Sequence, residues 1–100
     1  MAKRIIWSLR AQNDRKKILQ YWIIRNKSKE YSKKLFDLFQ KAVEIIGHHP
    51  QIGTSTKFHS VRCKIVRDYQ IFYKESGGAI HILAIWDSRQ NPDKLRESFE

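Results

Sequence analysis

Apolar side chains recur every three or four positions between residues 11 and 46 of this chain, and alternate or run together on either side of that stretch. The change of period separates helices from strands, because a helix brings i, i+3 and i+4 onto one face and a strand brings i and i+2. Residues 3–7 carry a short strand pattern in Ile5, Ile6 and Trp7, followed by Ser8, a hydroxyl suited to cap a helix N-terminus. Ala11, Ile18 and Trp22, joined by Leu19 and Ile23, then mark an amphipathic helix whose other face holds Arg15, Lys16, Lys17 and Arg25. Asn26-Lys27-Ser28 interrupts the pattern. Tyr31, Leu35, Leu38, Ala42 and Ile45, with Phe39 and Ile46 beside them, form a second and stronger stripe that ends near residues 47–50. So short a connection predicts an antiparallel helical hairpin.

Beyond the helices the period falls to two. Val61, Cys63 and Ile65 are expected on a packed strand face, with Arg62, Lys64 and Arg67 on a cationic face or at its end. After Asp68, residues 69–73 form a second run rich in aromatic and β-branched side chains, and Gly77-Gly78 offers the positive φ angles of a tight hairpin. Residues 80–86 are apolar apart from His81, as befits a central strand covered on both sides. Residues 51–60 read as an exposed irregular loop. The order is βααβββ: an α+β domain in which a helical hairpin packs on a small, mainly antiparallel sheet formed by the first strand and the three later ones.

Composition narrows the picture. A chain of 100 residues with 41% hydrophobic content suits one domain, residues 1–100, with one core. Twenty Lys and Arg against ten Asp and Glu give a net charge of +10, which favours polyanions or an acidic protein partner. No apolar run reaches the ~20 residues of a membrane span, and the opening MAKRIIWS lacks the apolar core of a secretory signal, so a cytoplasmic protein with no membrane partner is expected. The single cysteine, Cys63, has no internal disulfide partner and reads as a small strand hydrophobe.

The richest chemistry follows the last strand, where Asp87-Ser88-Arg89-Gln90-Asn91-Pro92 places charges and amides on a rigid scaffold. Arg89 is able to pair with Asp87 or Asp93, and Asn91 to cap a short helix begun by Pro92. His48-His49 lacks further ligands at metal spacing, so neither metal nor cofactor is expected. His59 is the best remaining group for proton transfer, His81 reads as a strand histidine, and Trp7, Trp22 and Trp86 as core. The basic helices, with Lys16, Lys17, Lys33 and Lys34, also suit a non-catalytic nucleic-acid-binding module.

Over nearly its whole length the sequence resembles the RelE/ParE superfamily of toxins from bacterial type II toxin–antitoxin systems. The resemblance is carried by Ile6-Trp7-Ser8 leading into Ala11, by His49-Pro50-Gln51-Ile52-Gly53, by Val66-Arg67-Asp68-Tyr69-Gln70-Ile71-Phe72-Tyr73, and by the stretch from Ile80 through Trp86-Asp87-Ser88-Arg89-Gln90-Asn91-Pro92. It implies a small basic toxin neutralised by a cognate antitoxin with an acidic or amphipathic segment. It also implies one of two targets: the ribosome with its messenger RNA, cut by a RelE-like endoribonuclease, or DNA gyrase, poisoned by a ParE-like toxin.

Cleavage of RNA by its own 2′-hydroxyl needs a base, cations for the phosphorane and an acid for the leaving oxygen. Lys64 and Arg89 match a lysine and an arginine of the RelE ribonucleases, but Gln70 stands where their phosphate-clamping arginine lies, Val66 where a second lysine does, and a terminal tyrosine is absent. The ParE-like, non-nucleolytic reading is favoured on this ground. The alternatives are a nuclease built on Lys64, His59 and Arg89, or an inactive relic that still binds antitoxin. The target-binding surface is expected at Arg62, Lys64, Arg67, Tyr69, Tyr73 and Arg89, with Asp87 and Gln90 orienting the loop, the cations contacting phosphate or acidic groups and the tyrosines stacking or hydrogen bonding.

Overall fold

The computed structural model of the protein describes residues 2–90; Asn91, Pro92 and Asp93, and the cap and short helix expected there, lie outside the described residues. The elements are β1 (Arg4–Trp7), α1 (Leu9–Asn26), α2 (Glu30–His48), β2 (Thr54–Ser55), β3 (Arg62–Val66), β4 (Tyr69–Ser76) and β5 (Ala79–Asp87). They build a five-stranded sheet in the order β1-β5-β4-β3-β2, with the helical hairpin on one face. β1 runs parallel to β5 and every other pair is antiparallel. The α+β reading therefore holds, with one strand more than expected. Among the described residues no helix is long and apolar enough to cross a membrane.

Ser8 turns β1 into α1. Its backbone stays extended (φ −66°, ψ 159°) while its Oγ accepts the Ala11 N–H at 3.0 Å, satisfying one of the donors a helix start leaves open. The same hydroxyl donates to the Leu83 carbonyl at 3.0 Å, and the Ser8 N–H to that of Ile82 at 3.0 Å. α1 ends on Lys27 in the left-handed region (φ 51°). Ser28 Oγ then accepts the Glu30 N–H at 3.2 Å as α2 begins.

The core lies between the hairpin and the sheet. Leu35, Phe39 and Ile46 of α2 and Ala11 of α1 meet Ile71, Tyr73, Ile80 and Ile82, with Ile18, Leu19 and Trp22 closing the side. The α2 stripe is turned by about one position from the expected one. Ser32 and Val43 are buried, whereas Ile45 is 40% exposed. A polar residue is tolerated there because Ser32 Oγ donates to the Leu19 carbonyl at 3.0 Å, tying α2 to α1.

Two departures from simple alternation decide where polar groups face. In β3 the register sets Arg62 opposite Tyr73, Lys64 opposite Ile71 and Val66 opposite Tyr69, so the cations share the helix-covered face at its margin. Val61 and Cys63 pack on the other face with Phe72, Trp86, Leu83 and Phe58, while Ile65 is 67% exposed and Val66 takes the buried place. In β5, Tyr73 pairs with Ile82 and Phe72 with Ala84, leaving Leu83 as an extra residue. This bulge reverses the parity beyond it. Ile85 joins the helix-side core, Trp86 the opposite cluster, and Asp87 stands opposite Tyr69 on the helix side. The Gly77-Gly78 turn forms as expected, with φ of 60° and 77°.

The stretch 51–60 is not merely an exposed loop. It contains β2, and it is pinned by Tyr73, whose hydroxyl accepts the Gly53 N–H at 2.9 Å and donates to the Pro50 carbonyl at 2.8 Å. Arg62 Nη1 donates to the Gly53 carbonyl at 2.8 Å. A Cβ on Gly53 would stand 2.6 Å from the Tyr73 hydroxyl and 2.9 Å from the Cys63 carbonyl.

Gly53→Ala is expected to cost about 1–3 kcal/mol by overpacking, and Tyr73→Phe about 1–3 kcal/mol by stranding the Gly53 N–H and Pro50 carbonyl; both are measurable by urea denaturation. The double variant stays destabilised, since the Cys63 carbonyl still blocks the new methyl. Ser8→Ala removes a cap and a strand contact together, and is expected to lower stability by about 1–2 kcal/mol in the same assay.

Candidate functional site

β1 pairs with β5 only as far as Ile82, so the edge of β5 beyond that point needs other partners. α1 supplies them. Asp14, less than two turns from the helix start, accepts the Ile85 N–H on its Oδ2 at 3.1 Å, and the Arg10 Nε holds both of its oxygens at 3.2 Å. At the strand's end the chain folds back on Asp87. That carboxylate accepts the Arg89 backbone N–H at 2.9 Å, its Nε at 3.0 Å and its Nη2 at 2.9 Å. Ser88 N–H donates to the Asp68 carbonyl at 2.9 Å, fastening this turn to the one between β3 and β4.

The result is a cleft of 470 Å³ between the polar side of α1 and the end of β5. Asp14, Lys17 and Tyr21 line one wall and Asp87, Arg89 and Gln90 the other, with Tyr69 also facing it. Tyr69 is 2% exposed and its hydroxyl accepts the Trp22 Nε1–H at 2.8 Å. Burial pushes this phenol above its ordinary pKa, so it carries its proton at neutral pH. The Arg89 hydrogen bonds hold the Asp87 carboxyl below the ordinary aspartate value, and Asp87 raises Arg89 in turn.

Of the residues that the sequence pointed to, Tyr69, Asp87, Arg89 and Gln90 come together in this cleft. Arg67 is exposed in the β3–β4 turn, in the left-handed region at φ 58°, at the same end of the sheet. The others are elsewhere. Tyr73 is 1% exposed, with its hydroxyl engaged on both sides, so it holds the 51–60 stretch rather than presents a surface, and the half-buried Arg62 binds the Gly53 carbonyl of the same stretch. Lys64 lines a shallow depression of 280 Å³ with Lys41 and Ile45 at the edge of α2, and Arg67 lines that depression too. His59 is exposed just before β3, at the end of that strand remote from Arg67. The nuclease set of Lys64, His59 and Arg89 is thus spread over three parts of the fold. Burial likewise pushes the Cys63 thiol above its ordinary pKa, consistent with a packing role.

Of four α1 residues in the cleft, Arg10, Asp14, Lys17 and Tyr21, the sequence had singled out Lys17 alone, as part of the basic helix face. Their spacing of four, three and four is a helical stripe, parallel to the apolar one, and was legible as such. What the sequence lacked was any sign that this stripe faces the end of β5.

Comparison with known proteins follows the same line. The family model described as the ParE toxin of the type II toxin–antitoxin system, parDE, matches residues 5–92, which take in the helical hairpin and all of β2–β5. Among solved structures, one titled as the chromosomal ParDE TA system from P. aeruginosa superposes with a TM-score of 0.74 at 17% identity, covering 86% of this chain and 96% of that one. At that identity the likeness speaks for the fold. No curated protein matches the sequence. The resemblance carried by the sequence is borne out, and the chain belongs to the ParE toxin family of type II toxin–antitoxin systems.

Proposed function

We propose that this type II toxin acts on DNA gyrase without cutting nucleic acid, and that it meets its target at the end of the sheet where Tyr69, Asp87, Arg89 and Gln90 gather. The observation that carries the reading is the dispersal of Lys64, His59 and Arg89. General acid–base catalysis needs donor and acceptor within hydrogen-bond reach of one reacting centre, whereas these three line no common cleft among the described residues. Arg89 is also gripped side-on by Asp87, which suits it to a fixed contact on a partner.

A toxin of this family has a cognate antitoxin, and the +10 charge favours one that brings an acidic or amphipathic segment. Lys64, Lys41 and Arg67 beside the exposed Ile65 and Ile45 offer such a segment both charge and apolar contact.

Inducible expression in bacteria, with pulse labels for DNA and protein synthesis over the first minutes, tests the target. DNA synthesis is expected to fall first with translation intact; an early fall in translation with cleaved messenger RNA would overturn the reading, as would unchanged growth. Purified Arg89→Ala is expected to inhibit gyrase roughly tenfold less well with its melting temperature little changed, since it removes a rim cation and an exposed ion pair but no core contact.

The same variant should move Asp87. Its folded pKa lies below its unfolded value, so the pair's contribution is present above the ordinary aspartate range and is lost as pH falls through the depressed value. In a carboxyl-detected NMR titration, Arg89→Ala is expected to bring the Asp87 midpoint back up towards that ordinary range.

A further inference from the structure

Both carboxylates of the α1–β5 cleft are engaged within the protein. Asp14 is held by the Ile85 N–H and Arg10, and Asp87 by three N–H groups of Arg89. The donors are not all matched. Lys17 makes no ion pair among the described residues, and Arg89 uses Nε and Nη2 on Asp87, which leaves its Nη1 edge for another acceptor. The Tyr69 hydroxyl accepts from Trp22 and keeps its own proton, with no acceptor for it among the described residues. Asp68 stands near enough to influence Arg89 but forms no ion pair with a cation of the cleft. A donor-rich cleft whose carboxylates are already engaged selects an oxyanion.

The remaining wall narrows the class of ligand. Tyr21 is 47% exposed and its ring is set by an edge-on contact with Trp22, 5.1 Å between centroids at 82°. An exposed aromatic face beside oxyanion donors, in a space of 470 Å³, matches a base joined to a phosphate. An acidic side chain would meet the donors and leave the ring without a partner.

We propose that the α1–β5 cleft binds single-stranded nucleic acid, holding one phosphate among Lys17, Arg89 and the Tyr69 hydroxyl while the adjoining base stacks on Tyr21. This is binding without cleavage, and it stands whether or not gyrase is the target.

The test is equilibrium binding of a fluorescent hexathymidylate to the purified full chain, read by anisotropy. Lys17→Ala and Tyr21→Ala are each expected to weaken binding about tenfold, with Tyr21→Phe retaining it, because the ring rather than the hydroxyl stacks. Lys33→Ala supplies the control. It removes the same charge from an exposed position on α2 and is expected to change binding less than about twofold.

Lys17, Tyr21 and Lys33 are all exposed, so the variants are expected to melt with the parent protein. Equal weakening by Lys17→Ala and Lys33→Ala would show attraction by net charge alone and overturn the proposal. So would an unaltered Tyr21→Ala, or competition by polyglutamate as effective as by unlabelled oligonucleotide at equal charge, which would assign the cleft to carboxylates.

Discussion

One hydroxyl sets the frame of this molecule. Ser8 Oγ receives the Ala11 N–H in the first turn of α1 and donates to β5 at Leu83, so the start of the helix and the bulge of the strand are held by the same atom. From that anchor the geometry downstream is constrained. A helix advances about 1.5 Å per residue, and six residues on from the anchor Asp14 meets the Ile85 N–H, closing a strand edge that β1 is too short to cover. The bulge beside Ser8 turns Asp87 towards α1. Without both, the polar stripe of α1 and the end of β5 would not share a cleft.

The two ends of the sheet use similar chemistry for different purposes. At one end Tyr73 and Arg62 engage the backbone of the 51–60 stretch from inside or from the margin, where removing a partner leaves polar groups out of reach of water. At the other end Asp87 orders Arg89 at the surface, where the pair is screened and adds little to stability but fixes the direction of a guanidinium. An arginine that satisfies carbonyls is structural. One that is aligned and left exposed is available to a partner.

Membership of the ParE toxin family and the placement of the cations point the same way. The groups that an RNA-cleaving site would need are dispersed, while the fixed turn at residues 87–90, the adjoining β3–β4 turn and the polar side of α1 make one surface. Lys64 belongs to a separate region at the edge of α2, beside exposed isoleucines. The basic charge is therefore divided between two differently built surfaces, one polar and aligned, the other partly apolar.

Local chemistry made much of this readable. The Ser8 cap, the break at Asn26-Lys27-Ser28, the Gly77-Gly78 hairpin and the apolar run of β5 follow from propensity and period, which act over a few residues and need no knowledge of what lies across the sheet. The Asp87–Arg89 pair was equally within reach of the sequence, being two residues apart. Tertiary structure alone decided the rest. Alternation in β3 says which residues share a face but not which face the helices cover, so Arg62 and Lys64 fell on the opposite side from that expected. A single extra residue at Leu83 reversed the parity of β5, and no composition marks it. Tyr73, which reads as a surface aromatic, became an interior clamp because Gly53 and Pro50, some twenty positions away, bring backbone polar groups to its hydroxyl. Sequence determines periodicity and caps because those interactions are local; which side of a sheet is covered, and what a buried hydroxyl meets, is settled only when distant segments pack.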